Sequence, residues 1–159
     1  MPRMFWILWM AKYKQGVFKP LHPEKYKGDL KKNPPVFRSS WELTFMSKMD
    51  KHPDVVQWSS EGVVIPYKSP LDNKYHRYFV DFYVKLKDKD GNIKEMIIEV
   101  KPKNQVKEPV RRKNQQDRTF IREVMTWGIN QAKWDAARAA AKNKGWSFEI
   151  FTEDHLGVL

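Results

Sequence analysis

Between residues 75 and 87, and again between 93 and 101, apolar and polar positions alternate with a period of two. That is the pattern of strands that bury one face. The segment Asp88-Lys89-Asp90-Gly91-Asn92 between them predicts a hairpin turn, and Pro102 closes the second strand. In that second strand Ile93, Glu95, Ile97, Glu99 and Lys101 share one face, while Met96, Ile98 and Val100 share the other. Apolar neighbours on both sides of Glu99 predict a central strand, with the carboxylate away from open solvent. Upstream, Trp41, Phe45 and Met49 recur at helical spacing behind Ser39-Ser40-Trp41-Glu42, and His52-Pro53 ends the helix. Residues 55–58 and 63–67 predict two short strands, and Ser69-Pro70-Leu71-Asp72-Asn73 a turn. Residues 103–119 show no apolar period and predict a mobile loop. Residues 118–143 predict a helix that Gly128 bends or divides and that Lys144-Gly145 stops. Residues 146–152 predict a last strand. A helix, a meander of strands, then a helix crossing back to a strand make a mixed α/β domain.

Composition narrows the chemistry. A chain of 159 residues with 41% hydrophobic and 14% aromatic side chains has material for one core. Cysteine is absent, which excludes disulfides, thiolate zinc sites and a cysteine nucleophile, and four histidines alone make a structural zinc site a poor fit. The formal charge of +11 is unevenly spread. Residues 1–32 hold eight basic and two acidic side chains, residues 101–145 twelve and four, and residues 33–100 ten of each. Two basic segments around a balanced middle suit a polyanion, and without a long basic amphipathic helix that polyanion is nucleic acid rather than a membrane. Residues 11–37, rich in Lys and Pro, predict a basic surface arm. The chain is therefore divided into an arm at 1–37 and a domain at 38–159. The apolar run at residues 4–10 is far shorter than the ~20 residues a membrane span needs, and lacks the flanks of a secretory signal. It reads as an upstream extension or a docking arm.

The two long strands carry the informative acids. A three-residue loop Lys89-Asp90-Gly91 pairs residues whose numbers sum to 180, which sets Asp81 opposite Glu99. Like charges there repel, and a divalent cation offsets them economically, Mg²⁺ in particular, since it takes one or two carboxylates plus waters and phosphate oxygens. A two-residue loop would shift the register and break the alignment. Lys101 lies two residues past Glu99, on the same side, where it can orient a water or stabilise charge on a scissile phosphate. Glu42 has a second reading: Ser39 and Glu42 stand at capping-box spacing. The basic series Lys101, Lys103, Lys107, Arg111, Arg112, Lys113, Arg118 and Arg122 follows the strand and is suited to tracking a DNA backbone, with weak sequence specificity. No recognition helix or zinc finger is present to read bases.

Val80-Asp81 followed by Glu99-Val100-Lys101 resembles the PD-(D/E)xK nuclease superfamily, with Val80 in place of the proline common before the aspartate. The resemblance extends to the strings Phe37-Arg38-Ser39-Ser40-Trp41-Glu42, Trp58-Ser59-Ser60-Glu61, Ile65-Pro66-Tyr67 and His76-Arg77-Tyr78-Phe79-Val80-Asp81-Phe82. These are similar to the head completion nucleases of T-even-like tailed phages. The final segment Trp146-Ser147-Phe148-Glu149-Ile150-Phe151-Thr152-Glu153 is similar to end-cleaving transposase nucleases with the same core. The resemblance implies a restriction-endonuclease-like core, a mixed sheet flanked by helices. It implies a DNA endonuclease using Mg²⁺ or Mn²⁺, with Asp81, Glu99 and the Val100 carbonyl as ligands, Lys101 on the attacking water and Glu42 assisting the metal or a second one. In-line attack would leave a 3′-hydroxyl and a 5′-phosphate. Arg38 joins the DNA contacts, and His76 and Gln131 are further candidates for the site. The implied setting is phage head completion, in the host cytoplasm and at the head–tail neck of the virion, with double-stranded DNA and portal or neck proteins as partners and an oligomer at the portal vertex. The alternative is a structural neck protein that binds DNA and portal-region proteins with a dormant nuclease core.

Overall fold

The computed structural model of the chain describes residues 15–157. The apolar run at 4–10 lies outside the described residues. The elements in chain order are β1 (Gly16–Val17), a 3-10 turn (Pro23–Lys25), β2 (Val36–Phe37), α1 (Ser40–Lys51), β3 (Val55–Lys68), β4 (Tyr75–Lys87), β5 (Ile93–Val100), α2 (Lys103–Val106), α3 (Asp117–Asn143), β6 (Ser147–Phe151) and α4 (Glu153–Leu156). β3, β4, β5 and β6 form one sheet in that order, and β1 and β2 form a separate small ribbon. The first three strands of the main sheet are antiparallel, and β6 returns parallel to β5 after α3. This is the mixed sheet flanked by helices expected of a restriction-endonuclease-like core.

The sheet has a hydrophobic layer on each face. On one side Phe45, Met46 and Met49 of α1 meet Val55, Trp58, Phe82, Val84 and Ile98, joined by Leu156 of α4. On the other, Trp134, Ala137 and Ala141 of α3 meet Ile65, Tyr67, Tyr78, Val80, Tyr83 and Ile97. Burying Trp58, Phe45 and Phe82 completely contributes of order 1.5–3 kcal/mol for each side chain. The Lys- and Pro-rich segment from residue 15 does more than wrap the surface. Tyr26 and Phe37 are core residues, and Tyr26 bridges to Trp58.

Three further expectations need correction. Residues 55–58 and 63–67 are parts of one strand, β3, interrupted by a bulge at Glu61 and Gly62 where Glu61 takes φ 53°. Gly128 does not divide α3, which is one continuous helix of 27 residues. A glycine costs a helix only about 1 kcal/mol relative to alanine, less than the packing of Trp134 and Ala137 supplies. The helix ends as expected, with Gly145 at φ +70° and the Trp146 N–H closing onto the Ala141 carbonyl. Residues 103–119 are not wholly loop, since α2 and the start of α3 fall within them.

Candidate functional site

The β4–β5 hairpin closes through Lys89-Asp90-Gly91, with Gly91 at φ +80° and the Asp88 N–H bonded to the Asn92 carbonyl. Lys87 pairs with Ile93, and each following pair to Phe82 and Ile98 also sums to 180. The next step sets Asp81 opposite Glu99, but the ladder stops at Phe82. There the phase of β4 slips. Phe82 and Val84 belong to the α1-side core, whereas Tyr78 and Val80 belong to the α3-side core. The β3 bulge lies directly across, two residues facing the one. Asp81 therefore sits where β4 leaves β5, and its carboxylate replaces the missing ladder bond. Its Oδ2 accepts the Val100 N–H at 2.8 Å.

Glu99 is only 5% exposed on the central strand. Its Oε2 accepts the Tyr78 hydroxyl at 2.6 Å, and its Oε1 lies 3.4 Å from the Lys101 Nζ. Lys101 is fixed from behind, its N–H bonded to the Phe151 carbonyl at 2.9 Å. Burial pushes the Asp81 carboxyl well above the usual carboxylate range. The Glu99 charge adds to that, the Val100 N–H opposes it, Glu42 adds again and Lys101 opposes. Ionising both carboxyls would thus put more negative charge there than one lysine offsets, in a place where water solvates it poorly.

Glu42 occupies the N-terminus of α1, close enough for its charge to act on Asp81. The cap is made by Ser39, but the Glu42 side chain reaches past the N-cap to Arg38, so the capping box is half realised. Ser39 Oγ accepts the Glu42 N–H at 3.1 Å, and Glu42 Oε2 accepts the Arg38 N–H at 2.9 Å. One carboxylate oxygen is committed to the backbone and the other is not. Among the described residues no three or more His, Asp or Glu side chains gather tightly enough to hold an ion unaided. The donor set is the Asp81–Glu99 pair, which suits a hard cation that keeps waters and takes phosphate oxygens.

The remaining candidates are dispersed. Arg38 pairs through both guanidinium nitrogens with Glu61, the residue at the bulge. Lys103 bonds Asp154 at 2.6 Å, Arg112 bonds Glu123 at 2.6 Å, and Arg111 pairs with Asp117. Lys107, Lys113 and Arg118 are exposed. His76 bonds Asp72 at 2.8 Å near the hairpin tip, about 17 Å along the strand from Asp81. Gln131 is partly buried on α3 and makes no hydrogen bond to the acids among the described residues. The residues sequence reasoning missed are Tyr78, which holds Glu99, and Lys133, whose Nζ lies 5.5 Å from the centre of the Tyr78 ring. The alternation of apolar and polar residues runs unbroken through Val80-Asp81-Phe82, so no local signal marks Tyr78 as the partner of Glu99.

Residues 52–153 match the family model of the TnsA-like endonuclease N-terminal domain. The chain is also 38% identical over 147 residues to the head completion nuclease of Enterobacteria phage T4, covering 91% of this chain and 94% of that protein. The matched region contains Asp81, Glu99 and Lys101.

Proposed function

The chain belongs to the family of TnsA-like endonucleases and phage head completion nucleases, and on that premise we propose that it is a metal-dependent DNA endonuclease acting in phage head completion. The observation that carries the reading is the Asp81–Glu99 pair, Glu99 buried and Asp81 partly so, with the Lys101 ammonium 3.4 Å from Glu99. Two desolvated carboxylates and one lysine leave a negative site beside a basic surface, which suits a cation and then a phosphate.

Asp81, Glu99 and the Val100 carbonyl would hold Mg²⁺ or Mn²⁺, which when bound supplies positive charge to the scissile phosphate and to the attacking water. The protein's own groups do the rest. Val100 N–H fixes one Asp81 oxygen and Tyr78 fixes one Glu99 oxygen, which leaves one oxygen of each carboxylate for the cation. Lys101, partly exposed, orients the water and steadies the charge that grows on the phosphate. Glu42 assists through its uncommitted oxygen. The basic surface holds the backbone of double-stranded DNA, so cleavage has little sequence preference. Likeness to the phage T4 protein supports a place in head completion; the proposal extends this to action on DNA at the portal vertex, with portal or neck proteins as partners and retention at the neck. Among the described residues no helix is long and apolar enough to cross a membrane.

The test is incubation of supercoiled and linear duplex DNA with the protein in Mg²⁺, in Mn²⁺ and in EDTA, beside Asp81→Asn. Nicking that needs the metal and Asp81 is expected. Absence of nicking by the native protein in either metal would remove the enzymatic reading.

A further inference from the structure

Beyond Asp81, the β3–β4 hairpin runs outward as an uncovered ribbon. Its side chains alternate between the two faces, with His76 at the tip exposed although it stands opposite buried Tyr67. Ile65, Tyr67, Tyr78 and Val80 are buried toward α3. The intervening residues Val64, Pro66, Lys68, Tyr75, Arg77 and Phe79 are exposed on the opposite face. The register makes them three cross-strand pairs, Val64 with Phe79, Pro66 with Arg77 and Lys68 with Tyr75. Tyr75 is 75% exposed and Phe79 45%. The α1-side layer covers Val55, Trp58, Phe82 and Val84 on the inner half of the hairpin and none of these six.

A face this rich in apolar and aromatic surface marks a contact site. Its charge says which kind. The Arg77 guanidinium lies over the Phe79 ring, 5.0 Å from its centre. Among the described residues neither Arg77 nor Lys68 has a carboxylate within ion-pair distance. By contrast Arg38, Lys103, Arg111 and Arg112 are each tied to one. The cations free to meet a phosphate therefore include two that the charge pattern along the sequence did not single out.

We propose that this ribbon face holds the DNA strand leaving the scissile phosphate, an inference that rests on the endonuclease reading. Tyr75, Arg77, Phe79 and Asp81 occupy alternate positions of one strand, spanning about 20 Å. At roughly 3.4 Å of rise per nucleotide, that length accommodates about six steps of one strand. Arg77 and Lys68 take phosphates. Tyr75 and Phe79 take sugars and base faces, which every sequence offers.

The test uses the full chain carrying Asp81→Asn, so that DNA stays intact. Its affinity for duplex and single-stranded DNA of one sequence is measured by fluorescence anisotropy at about 50 and 200 mM salt. It is compared with the same protein carrying Tyr75→Ala, Arg77→Ala and Phe79→Ala together, and with Arg77→Glu alone as the least intrusive change. Sedimentation velocity is run on both. The proposal expects about tenfold weaker binding in the triple variant, an unchanged sedimentation coefficient and a salt slope reduced by about one for the lost arginine. Unchanged DNA affinity in the triple variant and in Arg77→Glu would overturn it. Unchanged affinity with loss of a dimer would assign the face to a second copy of the chain instead. If the native protein fails to nick DNA yet the triple variant loses binding, the DNA face stands and the enzymatic reading falls.

Discussion

Replacing Tyr78 with Phe removes one oxygen and leaves the ring in place. Tyr78 is 3% exposed, and its hydroxyl donates to Glu99 at 2.6 Å in a setting without room for much water. A hydrogen bond to a charged group contributes about 1.5–3 kcal/mol. For a chain of this length, with Tm moving roughly 2–4 °C per kcal/mol, a loss near 2 kcal/mol lowers Tm by about 4–8 °C. The functional consequence is separable. Glu99 keeps only Lys101 as a fixed partner and gains a rotational choice, so the oxygen meant for the cation is no longer presented. If half of that bond energy orients the carboxylate during cleavage, the nicking rate falls about fivefold to tenfold. The assay is a double-mutant cycle with Glu99→Gln, read both by urea unfolding and by plasmid nicking in Mn²⁺. A coupling energy above about 1 kcal/mol in unfolding is expected, and no further rate loss when Tyr78→Phe is added to Glu99→Gln. Independent, additive effects in both readouts would refute the claim that Tyr78 works through Glu99.

Asp81→Asn keeps an acceptor for the Val100 N–H and removes the charge. Because burial and Glu99 raise the Asp81 carboxyl, the folded protein holds that proton more tightly than the unfolded chain does. Its stability in EDTA is then full below the ordinary carboxylate range, near pH 4, and declines as pH rises through the window above it. Urea midpoints across that window should show Asp81→Asn gaining on the native protein as pH rises; parallel curves would contradict this. Glu42→Gln should leave the unfolding midpoint nearly unchanged, since the amide oxygen still accepts the Arg38 N–H, while slowing nicking. Equal loss of stability and activity would reduce Glu42 to a helix cap. Lys101→Ala should abolish cleavage while DNA affinity, measured by anisotropy, changes less than threefold on the order of one phosphate contact. Retained cleavage would remove Lys101 from the chemistry.

The register of the hairpin was readable because its loop chemistry is local. Gly91 at positive φ behind Asp88 selects a three-residue loop, and the loop fixes every pair back to Phe82. The burial of Glu99 was readable because Ile97, Ile98 and Val100 leave it no solvent face. The break at Asp81 was hidden, since a strand is read by assuming one phase throughout, and a slip arises from tertiary splaying of β4 from β5. The β3 bulge was hidden for a related reason: Ser60-Glu61-Gly62 has turn chemistry, and only pairing with β4 turns it into an interruption of one strand. Tyr26 and Phe37 carry no period, so their place in the core depends on contacts with Trp58 and Phe45's neighbours that no local pattern encodes. The ion pairs that occupy Arg111, Arg112 and Lys103 come from α3 and α4, so which basic side chains stay available for phosphate emerges only after folding.

The central claim is that Asp81 and Glu99 share one cation. Calorimetric titration of Mn²⁺ into the native protein, Asp81→Asn and Glu99→Gln measures it without reference to cleavage. Binding by the native protein that each single substitution abolishes is the expected result. Native-like affinity in either variant would contradict the account.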